Sequence, residues 1–221
     1  MIMHKAVSLA DQIFEKLESD ILTGKYKRGT MLTELGLSEE MGVSRTPVRE
    51  ALKRLEQEHI VENRGKGVEV LGISDTDAGI MFDIRIKVEG MAAAACAKNI
   101  TPEQIQELKD ILELQEFYTD KQDTDRIKSL DSNFHEKIYE FSGSSVFYDT
   151  LEPLHNKLQK VRRTSLSNPE RAEISCREHR AILDAIADGN TSVAETAMEN
   201  HVTNARKCFV SISEETDDGV N

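Results

Sequence analysis

Leu9, Ile13, Leu17 and Ile21 stand four apart near the start of the chain. Apolar positions at that spacing line one face of an α-helix. Ser8, with Asp11 three residues on, predicts the N-terminal cap of this helix, and Gly24 predicts its end. A loop, KYKRGTML, follows. Two shorter helices are predicted over TELGLSEEMGVSRTPVREALKRLEQEH, with Thr33 capping the first, a turn at Gly42-Val43, and Ser44 capping the second. Pro47 falls in the first turn of that second helix, where its missing N–H does no harm. The period then changes. Ile60-Val61 and Val68-Glu69-Val70 predict short strands around the turn Asn63-Arg64-Gly65-Lys66-Gly67. From Ser74 onward nothing alternates. Six helical segments are predicted there, over 75–98, 101–119, 123–142, 145–166, 169–188 and 191–212. Thr101-Pro102-Glu103, Ser142-Gly143-Ser144, Asn168-Pro169 and Gly189-Asn190 separate them.

The second short helix sorts its residues by face. Val48, Ala51, Leu52 and Leu55 share one stripe, and Arg45, Thr46, Arg49 and Lys53 form the opposite one. The apolar stripe would hold the helix to its domain. The cationic one suits the major groove, where an arginine fork binds guanine O6 and N7 together for roughly 1–3 kcal/mol of discrimination. A merely solvated charged face is the plain alternative. Context argues for DNA. A short helix and a glycine turn precede the stripe, as in a helix-turn-helix. A hairpin "wing" with cations at its tip follows it, suited to phosphates or a minor groove.

The formal net charge of −12 argues against nucleic acid until it is divided along the chain. Residues 1–72 hold 11 Lys and Arg against 12 Asp and Glu, while residues 73–221 hold 17 against 28. The acidity therefore lies in the second part, and the first part can still present a basic face. No run of 18 apolar residues offers a membrane span. MIMHKAVSLADQIF lacks an apolar secretory core. Cys96, Cys176 and Cys208 are scattered and odd in number, which fits a reducing, cytoplasmic setting. The expected fold is mostly α: a winged helix-turn-helix over 1–73, an all-α six-helix antiparallel bundle over 74–214, and a frayed tail at 215–221.

Bundles build sites from polar residues on their apolar stripes. Asp131 and His135 share a face with Ile127, Phe134 and Ile138. His179 shares one with Ile182, Leu183 and Ile186, and His201 one with Ala194, Met198 and Ala205. An isolated histidine on such a face is more often a satisfied core residue than a ligand. Four inward polar groups on three helices change that balance, because burying them unpartnered costs kcal/mol each. A divalent cation would satisfy all four if they converge, and imidazole with carboxylate suits Zn²⁺, Ni²⁺ or Mn²⁺. His155 lies beside Leu151 and Leu158 and reads as pocket lining or core.

Two resemblances add to this reading. Ser44-Arg45-Thr46-Pro47-Val48-Arg49-Glu50-Ala51-Leu52, preceded by GKYKRGTMLTE and followed by RLEQEHIVENRGKGV, resembles the winged helix-turn-helix of GntR-type bacterial transcription regulators. It implies base and phosphate contacts from Arg45, Thr46 and Arg49 and a wing contact near Gly67. With Ser44 and Lys66 these make the candidate DNA-binding set. Many members carry an Arg in the first helix of the motif, where this chain has Leu35-Gly36. Asp131-x-x-x-His135, then REHRAILDAI around His179, then Met198-Glu199-Asn200-His201 resembles the FCD effector domain of the FadR subfamily. Six helices are similar to its VanR-like branch. The resemblance implies a metal on Asp131, His135, His179 and His201 and a small carboxylate effector beside it. Arg85 matches an arginine often found in that domain's first helix, where its fork could take the carboxylate. An ion pair with Glu89, four residues on, is the alternative.

The expected protein is a homodimeric repressor that binds a palindromic double-stranded operator and answers to a small carboxylate metabolite. Two rivals differ from it. One is a metal-dependent hydrolase using a zinc-bound water, for which no inward Glu or Asp stands clearly as the base. The other is a regulator that senses the metal itself.

Overall fold

The computed structural model describes residues 8–158 and 168–217. The chain divides into two compact units, Met1–Ser74 and Asp75–Asn221.

The first unit begins with α1 (Leu9–Leu22), closed by a full capping box. The Ser8 hydroxyl accepts from the Asp11 amide, and the Asp11 carboxylate accepts from the Ser8 backbone. Helices α2 (Glu34–Met41) and α3 (Arg45–Gln57) are joined by Gly42 in the left-handed region at φ 65°, a conformation glycine adopts without strain. Thr33 caps α2 through the Gly36 amide. Ser44 sits at the N-cap of α3, but its side chain makes no capping bond, contrary to expectation. Strands β2 (Val61–Asn63) and β3 (Val68–Val70) form the hairpin. A third strand was not expected. Met31–Leu32, within the predicted loop, is β1 and pairs antiparallel with β3, giving the order β1-β3-β2. Two residues carry no readable period. What makes them a strand is the open edge of β3 and the burial of Leu32. Ile13, Leu17, Val48, Leu52, Leu55 and Val68 share one core.

The second unit holds six helices among the described residues: α4 (Asp75–Asn99), α5 (Pro102–Asp120), α6 (Thr124–Phe141), α7 (Ser145–Lys157), α8 (Pro169–Ala187) and α9 (Thr191–Asp217). Part of the fourth predicted segment, 159–166, lies outside the described residues. The last helix runs into the predicted frayed tail, since no glycine or proline precedes Gly219 to stop it. No helix among the described residues is long and apolar enough to cross a membrane.

Candidate functional site

On α3, Val48, Ala51, Leu52 and Leu55 are buried, which turns Arg45, Thr46 and Arg49 outward with Ser44 before them. Arg45 and Arg49 line a cleft of about 580 Å³ together with Glu34, Lys53, Lys66 and Gly67, while Ser44 and Thr46 lie outside its lining. Lys66 stands exposed at the tip of the wing. Its neighbour Arg64 is instead tied down by Glu62 and Glu69, both at 2.7 Å. Gly67 has a structural reason to be glycine. A Cβ there would lie 2.5 Å from the Leu32 carbonyl oxygen, so the β1–β3 pairing excludes any side chain. Arg49 does not hang loose. Its Nε and Nη2 donate to the two carboxylate oxygens of Glu34 at 2.7 and 2.8 Å, and Arg45 Nη2 lies 3.6 Å from the same carboxylate.

In the second unit, Asp131 and His135 on α6, His179 on α8 and His201 on α9 are all buried, and one ligand atom from each lies within 4.8 Å of the others. Phe134 stacks on the His179 ring at 4.4 Å, which fixes that imidazole against α6. His201 Nε2 is 3.2 Å from His135 Nε2 and 3.3 Å from His179 Nε2, and His179 Nε2 is 3.6 Å from Asp131 Oδ1. Each imidazole turns its other nitrogen to an acceptor. His135 Nδ1 meets Glu89 at 2.7 Å, His201 Nδ1 meets Glu178 at 2.8 Å, and His179 Nδ1 meets the Gln115 side-chain oxygen at 2.8 Å. A neutral imidazole has one donor and one acceptor nitrogen. Three acceptors outside therefore put the proton on each Nδ1 and a bare lone pair on each Nε2. Three lone pairs and a carboxylate then converge. That arrangement is repulsive without a cation or an added proton, and it fits a divalent metal. Tetrahedral zinc with Zn–N of 2.0–2.1 Å would set its ligand atoms about 3.3–3.4 Å apart, close to the 3.2, 3.3 and 3.6 Å of these three pairs, within a cluster that spans up to 4.8 Å.

Burial also shapes the titration of this core. Desolvation, reinforced by His135 and Arg171, holds His201 well below the ordinary imidazole value. Glu89 would be raised by its burial, but Arg85 and His135 outweigh that and keep it well below the carboxylate range.

Beside the cluster lies a second polar group. Arg85 is buried and donates through Nε to Glu89, as the ion-pair alternative had it. Its Nη1 has no hydrogen-bond partner, and neither ring nitrogen of buried His155 has one. The Tyr139 hydroxyl is likewise buried without a well-formed hydrogen bond. The His155 ring is 5.7 Å from that of His135 and 6.4 Å from that of Tyr139, so these groups adjoin the cluster. Burial, with Arg85 and His135 nearby, pushes His155 well below its ordinary value.

Sequence reasoning missed Glu34, Gln115, Tyr139 and Glu178, and had Glu89 only as the alternative ion-pair partner of Arg85, not as the group behind His135. Two of them carried a usable signal. Gln115 follows Leu108, Ile111 and Leu112 on one stripe, and Glu89 lies between Phe82 and Cys96 on another. Glu178 and Glu34 carried none, because a glutamate at a partly exposed helix position reads as a solvated one.

A helix-turn-helix with a wing, ahead of an all-helical unit with a polar core, is the architecture of a DNA-binding transcription regulator, and the comparisons with known proteins place the chain in that class. Residues 9–70 match the bacterial regulatory proteins of the gntR family and residues 80–204 match the FCD domain, so the chain belongs to the GntR family, FCD-containing branch. It is 28% identical over 210 residues to the HTH-type transcriptional repressor RspR of Escherichia coli, covering 94% of this chain and 91% of that protein. It is 30% identical over 142 residues to the gluconate operon transcriptional repressor of Bacillus licheniformis, covering 63% of this chain and 58% of that protein. The solved structure of E. coli McbR/YncC shares the fold, with a TM-score of 0.78 and 23% identity over 94% of this chain and 99% of that one.

Proposed function

We propose that the protein is a cytoplasmic, homodimeric repressor whose second unit binds a divalent metal and a small carboxylate, and whose operator affinity changes when the carboxylate binds. The observation that carries the metal reading is the tautomer argument. Three histidines whose Nδ1 atoms face acceptors aim three Nε2 lone pairs at Asp131 and at one another. Asp131, His135, His179 and His201 are the ligands, with Zn²⁺, Ni²⁺ or Mn²⁺ as the ion. The metal would supply a buried positive charge that satisfies these acceptors and attracts an anion.

Support for the carboxylate comes from Arg85, whose Nη1 has no partner, with His155 and Tyr139 beside it. A buried polar atom without a partner costs about 1–3 kcal/mol, which a carboxylate with a nearby hydroxyl would relieve. A relative named for the gluconate operon favours the same ligand class. Six bundle helices favour the VanR-like branch. Ser44, Arg45, Thr46, Arg49, Lys66 and Gly67 would contact a palindromic operator, one half-site per subunit. The Ser44 hydroxyl, not spent on capping its own helix, suits a phosphate.

Elemental analysis of the purified protein, then operator binding with and without that metal and a panel of organic acids, tests this reading. The expected result is about one metal per chain and an operator affinity that shifts only with metal and acid together. A shift with metal alone would make the metal the signal. No metal, and no response to any acid, would refute the proposal. Arg49→Ala should cost about 1–3 kcal/mol on operator DNA and relax its sequence preference. Equal losses on operator and random DNA would remove Arg49 as a base reader.

A further inference from the structure

We infer that Glu34 is a positioning residue that sets the sequence discrimination of the recognition helix by holding Arg49 in its base-reading orientation. This rests on the DNA-reading role proposed for Arg49.

Glu34 is the first residue of α2, and the Thr33 cap fixes the backbone there. From that place its carboxylate crosses to α3 and engages Arg49 side-on, one oxygen on Nε and the other on Nη2. A guanidinium has five N–H groups in a rigid plane. The side-on pair uses Nε–H and one Nη2 proton. Both Nη1 protons and the other Nη2 proton remain, and one Nη1 proton with that Nη2 proton forms the end-on fork that matches guanine O6 and N7. Glu34 therefore occupies the edge of Arg49 that guanine does not need. It also removes rotamer freedom that the arginine would otherwise lose on binding a base. The pairing holds Glu34 below the ordinary carboxylate range, through Arg49 first and Arg45 after it, so the carboxylate is charged at neutral pH.

The same charge works against indiscriminate binding. Glu34 lines the cleft shared by Arg45, Arg49, Lys53 and Lys66. A carboxylate there repels phosphates and partly neutralises two arginines that would otherwise seek them. One residue thus supports base reading and weakens backbone attraction. A merely structural ion pair would not have opposite effects on the two kinds of DNA.

The test uses the full-length protein with Glu34→Gln, which keeps the length and shape of the side chain. The probes are a duplex selected by the wild-type protein from a randomised pool, and a scrambled duplex of equal length. Expected are a loss of about tenfold or more on the selected duplex and an unchanged or few-fold higher affinity on the scrambled one. The salt dependence on scrambled DNA should become steeper, by up to about one unit of slope for one added phosphate contact. In an Arg49→Ala background, Glu34→Gln should no longer change the ratio of the two affinities. Thermal melting of each variant reports whether it folds, and Glu34→Asp, with a shorter reach, provides a second folded variant with intermediate discrimination. Parallel changes on both duplexes, or a ratio that Glu34→Gln still lowers without Arg49, would overturn the inference. If Arg49→Ala itself leaves the ratio intact, the base-reading role fails. If Arg49→Ala lowers the ratio and Glu34→Gln does not, only the positioning role fails.

Discussion

If the second unit holds the proposed metal, stripping it should lower the melting temperature by roughly ten degrees. Three Nε2 lone pairs and the Asp131 carboxylate face one another at 3.2 to 3.6 Å. An ion at a thousand times its dissociation constant would contribute about 4 kcal/mol of linkage stability. In a unit of about this size each kcal/mol moves the midpoint by about 2–4 °C, so the expected fall is about 8–16 °C. The assay is thermal unfolding followed by circular dichroism, on protein as purified, after dialysis against a chelator, and after return of Zn²⁺, Ni²⁺ or Mn²⁺. The paired variant His135→Ala with His201→Ala supplies the control. It should melt low, bind no metal by elemental analysis, and show no shift with any ion. If chelation leaves the midpoint unchanged in wild type, or metal still raises it in the paired variant, the converging lone pairs do not form a metal site.

Glu89→Gln should weaken metal binding by about 10–100-fold, because it takes the charge from behind His135; unchanged affinity by competition titration would show that the contact only packs. Tyr139→Phe removes a buried hydroxyl that makes no well-formed hydrogen bond. It should leave the melting point nearly unchanged while reducing affinity for any organic acid found to shift operator binding, and thermal melting beside isothermal titration of wild type and variant separates the two effects. Stability should also fall in mild acid. His155 is held well below 6.5 when folded and returns to about that value when unfolded, so the unfolded chain binds the extra proton. Its contribution is therefore complete above about pH 6.5 and declines as pH drops below it, by at most about 1.4 kcal/mol per pH unit. Urea melts of metal-free His155→Phe between pH 5 and 7.5 should show a slope shallower than wild type by up to that amount; an equal or steeper slope would contradict the buried, neutral imidazole.

The period of the apolar positions, with the caps and the glycine and proline breakers that interrupt it, was enough to place most of the described helices, because a helix that buries one face writes that face into every third or fourth residue. Leu9-Ile13-Leu17-Ile21 and Leu108-Ile111-Leu112 show it plainly, and so do the two faces of α3. Asp131, His135, His179 and His201 stood out by the same rule, as polar residues on apolar stripes. Their spacing along the chain could not show that they meet. Convergence depends on how α6, α8 and α9 pack, and that is a property of side-chain fit between helices. The tautomers depended on packing too, since Glu89, Gln115 and Glu178 come from three different helices and each backs a histidine on another one. Strand β1 and the Glu34–Arg49 pair are of the same kind. Two residues beside an open edge and a carboxylate 15 positions from its arginine leave no periodic trace, because each exists only where two separate segments touch.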